Sequence, residues 1–425
     1  MSNNFKKGTI CVQGGYSPKA GEPRVLPIYQ SVTYKFDDPS NLEDLFSLQA
    51  VGHLYSRISN PTVAGFEERF AQLQGGIGAV ATSSGQAAIL YSIINICKSG
   101  DHIIASSSLY GGTVNLFKVH LKNLGIEVSF VSPEASKEEI LSAAKENTKA
   151  IYGETIGNPE LNILDFEKFA ETAKILKVPF IVDNTVASPY LCNPFEHGAN
   201  IVIHSTTKYA DGHAQSIGGI VVDGGNFDWS NGKFEDFTTP DPSYHGLVYT
   251  EAFKEAAYIT KLRVTIARDF GACLSPFNAY ITNLGLETLH LRIERHSQNA
   301  LSLAKWLEKH PKVKWVNYPY LETSKEYEKA KKYLNGGGSG LLTFGLDTDI
   351  EGTKRFQRAL KLISLAVTLG DTRSCILHPA TTTHSQLSEK ELEGAGVTTD
   401  LLRISIGIED IEDIIKDVEQ ALEAV

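Results

Sequence analysis

The chain has 425 residues and a formal net charge of −10, and 42% of its residues are hydrophobic and 21% charged. This composition is typical of an ordinary globular protein, and the length suggests roughly two or three domains. Because the chain is acidic and has no long block of lysine or arginine, nucleic-acid binding is not expected.

The cysteines and the N-terminus predict a cytoplasmic protein. The five cysteines stand singly and no C-x-x-C occurs, so neither a disulfide framework nor a zinc cluster is expected. The first ten residues, MSNNFKKGTI, lack the apolar core of a signal peptide. The longest apolar-leaning stretch, Ala87–Cys97, is far shorter than the about 20 residues that span a bilayer.

Residues 1–62 are predicted to form an extended N-terminal arm. They are rich in turn formers such as Gly14, Gly15 and Pro18, and they show weak periodicity. Such a segment cannot bury itself well alone, whereas an arm lying across a neighbouring subunit would be covered. The arm ends where Asn60-Pro61-Thr62 opens a predicted helix, Val63–Gln74.

Residues 63–264 are predicted to form a large α/β domain. Strands alternate with helices, which predicts a mostly parallel sheet with helices on both faces. The predicted strands are Ala79–Thr82, His102–Ala105, Glu127–Val131, Ala150–Glu154, Phe180–Val182, Ile201–His204 and Ile217–Val222. The predicted helices between them are Gln86–Cys97, Val114–Leu124, Lys137–Glu146 and Asp165–Leu176.

Residues 265–425 are predicted to form a smaller C-terminal α/β domain. It follows a nearly continuous helical pattern from Tyr249 to about His310, with interruptions near Gly271, Pro276 and Gly285. The glycine-rich run at residues 336–340 is interpreted as a mobile connector. The predicted strands and helices are Val313–Asn317, Ser339–Leu346, Leu402–Ser405, Glu351–Leu360 and Asp410–Ala424.

Two neighbouring strands of the large domain end in groups that can carry chemistry. Ile201–His204 runs into hydroxyls at residues 205–207 and then Lys208, and Phe180–Val182 delivers Asp183. Because the carboxyl ends of parallel strands meet at one edge of a sheet, Asp183 and Lys208 are expected to face one crevice. A lysine that forms an imine and an aspartate that pairs with a protonated pyridine nitrogen are the two protein groups that pyridoxal phosphate needs.

Two loops add candidate contacts for such a cofactor. Small residues at 83–88, between a strand and a helix, let backbone N–H groups close on a phosphate at the helix N-terminus. Tyr110, followed by Gly111 and Gly112, can lie flat on a planar ring. Taken singly, each signal is weak, because capping serines and loop tyrosines are common.

Together these motifs resemble those of the cystathionine γ-synthase-like enzymes of Cys/Met metabolism, which use pyridoxal phosphate. The resemblance covers essentially the whole chain and implies the aspartate aminotransferase-like fold type I. The motifs are Tyr55-Ser56-Arg57, SSGQAA, LYGGT, Glu154 with Gly157-Asn158-Pro159, Val182-Asp183-Asn184-Thr185, HSTTKY and residues 402–410.

The resemblance implies a role for each matching residue. Lys208 would be the Schiff-base lysine, Asp183 would pair with the pyridinium nitrogen, and Tyr110 would stack on the ring. Either Tyr110 or Tyr55 would help the leaving group as a proton donor. Arg403 would grip the α-carboxylate of the substrate, with Asn158 and Thr368 beside it. The phosphate of the cofactor would be held by Gly85, Gln86, Ser205 and Thr207, joined by Tyr55 and Arg57 of a neighbouring subunit.

Within the family, the chain is most similar to the O-acetylhomoserine sulfhydrylases. Four stretches carry this similarity, at residues 222–229, 240–246, 274–278 and 369–379, and residues 223–245 form an insertion that shorter members lack. The implied reaction is a γ-replacement, in which sulfide or methanethiol displaces acetate from O-acetyl-L-homoserine and gives homocysteine or methionine. The implied assembly is a homotetramer built from dimers.

Other functions stay open or are disfavoured. Methionine γ-lyase and cystathionine γ-synthase activities are the alternatives within the family, although the lyases commonly carry a cysteine where Gly112 stands. Residues 76–81 fit the dinucleotide pattern G-x-G-x-x-A, but they follow a predicted helix and lead into a strand, the reverse of the required context. His378 and His384 lack partners at ligand spacing, so no metal is expected.

Overall fold

The computed structural model describes residues 5–383 and 397–425, which contain a seven-stranded and a five-stranded sheet. The strands are β1 (Gly78–Thr82), β2 (His102–Ser106), β3 (Glu127–Val131), β4 (Thr148–Glu154), β5 (Phe180–Asp183), β6 (Ile201–His204), β7 (Gly219–Asp223), β8 (Val313–Asn317), β9 (Leu341–Leu346), β10 (Ser364–Leu365), β11 (Cys375–Leu377) and β12 (Leu401–Ser405). The α-helices are α1 (Lys7–Gln13), α2 (Pro39–Phe46), α3 (Pro61–Gln74), α4 (Gly85–Ile94), α5 (Gly111–Asn115), α6 (Lys137–Ser142), α7 (Phe166–Leu176), α8 (Ser188–Leu191), α9 (Glu235–Thr238), α10 (Tyr249–Phe253), α11 (Ala257–Lys261), α12 (Arg268–Phe270), α13 (Pro276–Glu287), α14 (Leu289–Leu307), α15 (Tyr327–Tyr333), α16 (Ile350–Ala359) and α17 (Ile411–Leu422). Segments of 3₁₀ or π-helix lie at Leu116–Leu121, Pro194–His197, Pro242–Tyr244, Lys254–Ala256, Leu262–Ala267 and Pro379–Thr381.

The large sheet has the strand order β1-β7-β6-β5-β4-β2-β3. The five strands from β6 to β3 pair in parallel, and β7 pairs antiparallel with both β6 and β1. All seven predicted strands are therefore present, and the prediction of a mostly parallel sheet is confirmed.

Side chains of this sheet alternate between two buried cores. Val182 and Val202 pack in one core with residues of α3 and α7, whereas Ile181 and Ile203 pack in the other with residues of α4. All four side chains are fully buried, and burial of such a side chain contributes about 1.5–3 kcal/mol. The prediction of helices on both faces is confirmed.

The small sheet has the strand order β10-β11-β12-β9-β8, with only the β10–β11 pair parallel. Its fully buried residues include Phe344 on β9 and Ile404 on β12, which pack in a third core with Ile414 of α17. The sequence predicted β8, β9 and β12 but not β10 and β11, because strands of two and three residues leave no periodic signal. The division at residues 62 and 264 stays a prediction.

Two glycine positions behave differently from a simple break. The helical pattern is interrupted near Gly285, as predicted, but the break is at Thr288: Gly285 itself lies within α13, where a Cβ would overlap the carbonyl oxygens of Ala210 and Asp211. The run at residues 336–340 is not a loose connector, since it is buried from Gly337 onward. Close packing explains both positions, against backbone carbonyls at Gly285 and against the side chains of Ser297 and Tyr318 at Gly337 and Gly338, because only glycine leaves room for it.

The N-terminal arm contains two helices that its weak periodicity did not predict, α1 and α2. Val25 and Val32, between these helices, and Phe46, the last residue of α2, are mostly exposed. Several exposed large apolar residues in one segment are consistent with a surface that another protein covers.

The five cysteines are all free thiols, and four of them are buried. No helix in residues 5–383 or 397–425 combines the length and apolar character that crossing a lipid bilayer requires.

Candidate active site

A cavity of about 200 Å³ opens at the carboxyl edge of the parallel strands. Asp183, at the end of β5, and Lys208, shortly after β6, both line it, as the strand order predicted. The residues predicted for the site that line this cavity are Gly85, Gln86, Tyr110, Asn158, Asp183, Ser205, Thr207, Lys208, Thr368 and Arg403.

Lys208 lies in a tight turn directly after β6. Its N–H donates to the carbonyl of Ser205 at 3.3 Å, and its own carbonyl accepts from the N–H of Gly212 at 2.8 Å. Burial, and then the nearby positive charge of Arg403, lowers the pKa of the Lys208 amine. A larger share of this amine is therefore unprotonated at neutral pH, which a nucleophile requires.

Asp183 and Glu154 form a pair of buried carboxyl groups on adjacent strands. They are direct partners in the β4–β5 register. Asp183 accepts from the N–H of Thr185 at 2.9 Å, and burial raises its pKa to about 6. Burial and then the charge of Asp183 raise the pKa of Glu154 as well, while Glu154 accepts from the N–H of Tyr110 at 2.7 Å. Two like charges so close disfavour each other, so a cation beside Asp183 would stabilise its ionised form.

The N-terminus of α4 and the loop after β6 form a small polar cradle. Ser84 caps α4 by accepting from the N–H of Ala87 at 3.2 Å. A Cβ at Gly85 would lie 2.6 Å from the Cβ of Ser205, so only glycine allows the two loops to approach. Within the described residues, Oε1 of Gln86 is buried without a hydrogen-bond partner. Backbone donors, hydroxyls and a helix dipole in one place suit an anion such as phosphate.

Thr207 lies in the loop after β6 and also lines the cavity. Its hydroxyl donates to the carbonyl of Gly218 at 3.1 Å and is also within 3.1 Å of the Gly218 N–H. These contacts fix the hydroxyl oxygen at the cavity wall.

The ring of Tyr110 stands in the cavity just before α5, and about half of this residue is exposed. A Cβ at Gly112 would lie 2.5 Å from Cε1 of Tyr110 and 2.6 Å from Nε2 of Gln86. The absence of a side chain at position 112 therefore permits the observed position of the Tyr110 ring.

Arg403 projects from β12 of the small sheet into the cavity. Its Nη1 donates to Oδ1 of Asn158 and its Nη2 to the backbone carbonyl of Thr368, both at 3.1 Å. Nε of Arg403 is buried and lacks a partner among the described residues. Thr368 takes part through its main chain, so the identity of its side chain matters little to this contact.

Tyr55 and Arg57 do not line the cavity of their own chain. The guanidinium of Arg57 lies 5.2 Å from the centre of the Tyr55 ring and donates to the carbonyl of Arg268. Arg57 is exposed and Tyr55 is half-buried. The structure brings these two residues together, but outside the cavity that Lys208 lines.

The structure adds cavity residues that the sequence did not single out. Glu154 appeared only as part of a motif, yet it ends β4 beside Asp183, and the rule that located Asp183 could have located it too. Thr185 was likewise named only within a motif, although its hydroxyl accepts from the N–H of Ser205 at 2.8 Å. The other additional lining residues are Ser84, Ile89, Ile156, Val186, Val367, Leu369 and Thr383.

The ring of His378 is occupied by hydrogen bonds to its neighbours among the described residues. Both ring nitrogens of His378 are engaged, Nδ1 with the hydroxyl of Thr381 and Nε2 with the carbonyl of Thr399, each at 2.9 Å. His384 lies outside the described residues. In the described chain, no three His, Cys, Asp or Glu side chains are grouped as a metal would require.

These groups fit pyridoxal phosphate. The cradle at Gly85, Ser205 and Thr207 offers donors for a phosphate, and Asp183 offers a buried carboxylate for a protonated ring nitrogen. Lys208 supplies an amine in the same cavity, and Nε of Arg403 is left as an unpaired donor for a substrate anion.

Comparison with known proteins agrees with this geometry. The sequence profile of the family described as Cys/Met metabolism PLP-dependent enzymes matches residues 8–423. The chain is 47% identical to the O-acetyl-L-homoserine sulfhydrylase of Leptospira meyeri, covering 100% of this chain and 98% of the relative. It is 45% identical to the homocysteine/cysteine synthase of Saccharomyces cerevisiae, covering 96% of this chain and 94% of the relative.

A solved structure shows the same fold. The protein from Campylobacter jejuni assigned as an O-acetylhomoserine (thiol)-lyase has a TM-score of 0.95 and 41% identity, and the match covers 99% of this chain and all of that one. That structure contains N'-pyridoxyl-lysine-5'-monophosphate. The predicted family and the type I fold are confirmed, and this chain belongs to the Cys/Met metabolism family of PLP-dependent enzymes.

Proposed function

We propose that this chain catalyses the γ-replacement of acetate in O-acetyl-L-homoserine by sulfide or methanethiol, giving L-homocysteine or methionine. The observation that carries the proposal is one cavity that holds the Lys208 amine, the Asp183 carboxyl and the Arg403 guanidinium. The names of the relatives at 45–47% identity support the same reaction.

Two sets of residues would hold the cofactor, one at its phosphate and one at its ring. Gly85, Gln86, Ser205 and Thr207 would bind the phosphate, and Asp183 would bind the protonated ring nitrogen while Tyr110 packs on the ring. When bound, pyridoxal phosphate supplies an electron sink for the negative charge left at Cα after proton removal.

Lys208 would move the protons of the reaction. Its amine would remove the proton from Cα of the substrate, give that proton up, and then, unprotonated again, remove a proton from Cβ. The lowered pKa of Lys208 favours the unprotonated form that both steps need. Tyr110, or Tyr55 of a neighbouring subunit, would donate a proton to the departing acetate. Sulfide or methanethiol would then form the new bond at Cγ.

Arg403 would hold the α-carboxylate of the substrate. Its buried guanidinium makes neutral hydrogen bonds to Asn158 and Thr368 and is not paired with a carboxylate by any described contact. A bidentate bond to the substrate would complete its donors and orient Cα toward Lys208.

Removal of this guanidinium should mainly weaken substrate binding. We expect Arg403→Ala to raise KM for O-acetylhomoserine about 100-fold, the usual effect of truncating a buried, hydrogen-bonded ionic contact. Arg373, an exposed arginine paired with Asp371, provides the control, and Arg373→Ala should leave KM unchanged. Steady-state kinetics of both variants decide the assignment, and an unaltered KM for Arg403→Ala would refute it.

The arm is proposed to complete the site of a neighbouring subunit in a homotetramer built from dimers. The position of Tyr55 and Arg57 outside their own cavity and the exposed apolar residues of the arm support this. The free thiols of all five cysteines fit the cytoplasmic location that we also propose.

Mixed oligomers test the contribution of the arm in trans. Arg57→Ala and Lys208→Ala are each expected to be nearly inactive. If the arm acts in trans, each mixed dimer contains one intact site out of two. Because random mixing of equal amounts makes about half of the dimers mixed, about a quarter of the wild-type activity should return. No recovery after verified mixing would place Arg57 in the site of its own chain or outside any site.

A substitution at Gly112, where the lyases commonly carry a cysteine, tests whether this cavity accepts a side chain at that position. We expect Gly112→Ala to lower the affinity for pyridoxal phosphate and kcat/KM each about tenfold, because the new methyl group would displace the Tyr110 ring or Gln86. Fluorescence titration of the cofactor and steady-state kinetics measure the two effects. Wild-type values for both would show that the cavity tolerates a side chain here.

Product analysis separates the proposed reaction from the alternatives. The holoenzyme is incubated with O-acetylhomoserine and sulfide, methanethiol or cysteine, and separately with methionine alone. We expect acetate release coupled to homocysteine or methionine formation to exceed 2-oxobutyrate release from methionine. Dominant 2-oxobutyrate release would indicate a methionine γ-lyase, and dominant cystathionine formation would indicate a cystathionine γ-synthase.

A further inference from the structure

The side chain of Tyr209, the residue after Lys208, reaches the glycine-rich run at residues 336–340. Tyr209 is 1% exposed. Its hydroxyl oxygen accepts from the hydroxyl of Ser339 at 3.0 Å and from the N–H of Gly340 at 3.1 Å. The Tyr209 carbonyl also accepts from Nη1 of Arg292 at 2.9 Å. Tyr209 is therefore fixed both at its side-chain hydroxyl and at its backbone carbonyl, and it holds the adjacent Lys208 turn in place.

The same run is bonded to the strand that carries Arg403. The carbonyl of Gly340 accepts from the N–H of Ile406 at 2.7 Å. Ile406 directly follows β12, three residues after Arg403. A short route thus leads from the Lys208 turn, through the Tyr209 hydroxyl and Gly340, to the arginine of the cavity.

A second route joins the same two residues. A Cβ at Gly370 would lie 2.8 Å from the backbone nitrogen of Tyr209, so Gly370 packs directly on it. Gly370 donates its N–H to the hydroxyl of Ser405 at 3.0 Å, and Thr368, two residues earlier, accepts from Arg403.

We propose that the Tyr209 hydroxyl is a positioning group that fixes the Lys208 amine relative to the Arg403 guanidinium. The inference rests on the proposed function and deepens it. Lys208 follows a strand of the seven-stranded sheet, whereas Arg403 lies on the five-stranded sheet. Hydrogen bonds between the two parts therefore fix their separation: Asn158 holds the guanidinium of Arg403, and the Tyr209 hydroxyl holds the turn that carries Lys208. Arg403 binds one end of the substrate and Lys208 takes its α-proton, and a displacement of about 1 Å between them can cost up to about 100-fold in rate.

Tyr318 provides a matched control within the same structure. It is fully buried, and its hydroxyl also binds the glycine-rich run, accepting from the N–H of Gly338 at 3.2 Å and donating to the carbonyl of Ser339 at 2.8 Å. Its remaining hydroxyl partner is the carbonyl of Ser297. Loss of this hydroxyl disturbs the run without touching the Lys208 turn.

The test compares Tyr209→Phe with Tyr318→Phe. The primary measurement is the exchange of the α-proton of L-2-aminobutyrate, an amino acid without a γ-leaving group, in D₂O by NMR with the holoenzyme. We expect Tyr209→Phe to slow exchange at saturating ligand about tenfold and to change ligand affinity less than twofold. Tyr318→Phe should exchange at a rate within twofold of the wild type, although both variants lower Tm.

A second measurement needs no cofactor. Amide hydrogen exchange of the peptide covering residues 205–212 in cofactor-free protein should be faster in Tyr209→Phe and unchanged in Tyr318→Phe. If Tyr209→Phe does not fold, Ser339→Ala removes one partner of the same hydroxyl and should produce the same two changes in smaller amounts.

Two results would overturn the inference: unaltered α-proton exchange in Tyr209→Phe, or equal slowing in both tyrosine variants in proportion to their loss of Tm. Failure of the proposed function is distinguishable from these. A wild-type holoenzyme that exchanges the α-proton but forms no homocysteine from sulfide would contradict the assigned reaction, while the comparison of the two variants would still decide the role of Tyr209.

Discussion

Lys208→Ala should lower kcat about 1,000-fold or more, because the substitution removes both the proposed nucleophile and the proposed proton carrier. Pyridoxal phosphate should still bind through the phosphate cradle, but without a covalent bond, so that dialysis removes it. Steady-state kinetics and the visible absorption of the dialysed protein measure the two effects.

Lys261 is a suitable control for the effect of removing a buried lysine. It is buried outside the cavity, where its Nζ donates to the carbonyl of Asn95 at 2.8 Å, and burial lowers its pKa as it does for Lys208. Lys261→Ala should lower Tm and leave the kcat of the folded holoenzyme near the wild-type value. A Lys208→Ala holoenzyme that kept a tenth of wild-type turnover would contradict the proposed role.

Asp183→Asn should lower kcat about 100-fold or more, because the ring nitrogen would lose its anionic partner. The same substitution should stabilise the cofactor-free protein. Burial raises the pKa of Asp183 to about 6, so the native state binds this proton more tightly than the unfolded chain does, and stability falls as pH rises through that range. Asparagine cannot ionise, so its stabilising effect should be full above pH 6 and fade as the pH falls toward the ordinary pKa of 3.8.

Asp223→Asn is a control that should show the effect on stability without the effect on kcat. It ends β7, where it pairs with Ile201 at the start of β6, so it lies at the opposite edge of the sheet from Lys208. Burial raises its pKa to about 7. Asp223→Asn should therefore stabilise the protein at neutral pH while kcat stays unchanged. Urea unfolding of both variants between pH 4 and pH 8 measures the effect, and an Asp183→Asn protein with wild-type kcat would refute the pairing with the ring nitrogen.

Much of the large sheet could be predicted because its strands are short, continuous apolar runs. Ile181-Val182 and Ile201-Val202-Ile203 are buried on both sides, which is the pattern of a central parallel strand. The antiparallel direction of β7 could not be predicted, because an apolar run does not reveal its direction.

Contacts between distant residues explain what the sequence did not predict. The glycine-rich run is fixed by the hydroxyls of Tyr318, about 20 residues away, and Tyr209, about 130 residues away, and a local composition signal contains neither. The rule that brings strand ends to one edge located Asp183 and Lys208 correctly, and it would have located Glu154 had it been applied to β4. The roles proposed for Tyr55 and Arg57 involve a second chain, which no pattern within one chain can place.

Reduction of the holoenzyme with borohydride, followed by proteolysis and mass spectrometry, tests the central claim most directly. The proposed site predicts that the pyridoxyl group is found on the peptide that contains Lys208 and that O-acetylhomoserine, added before the reductant, decreases this labelling. Labelling of another lysine, such as Lys261, or no labelling of a protein that has bound the cofactor, would contradict it.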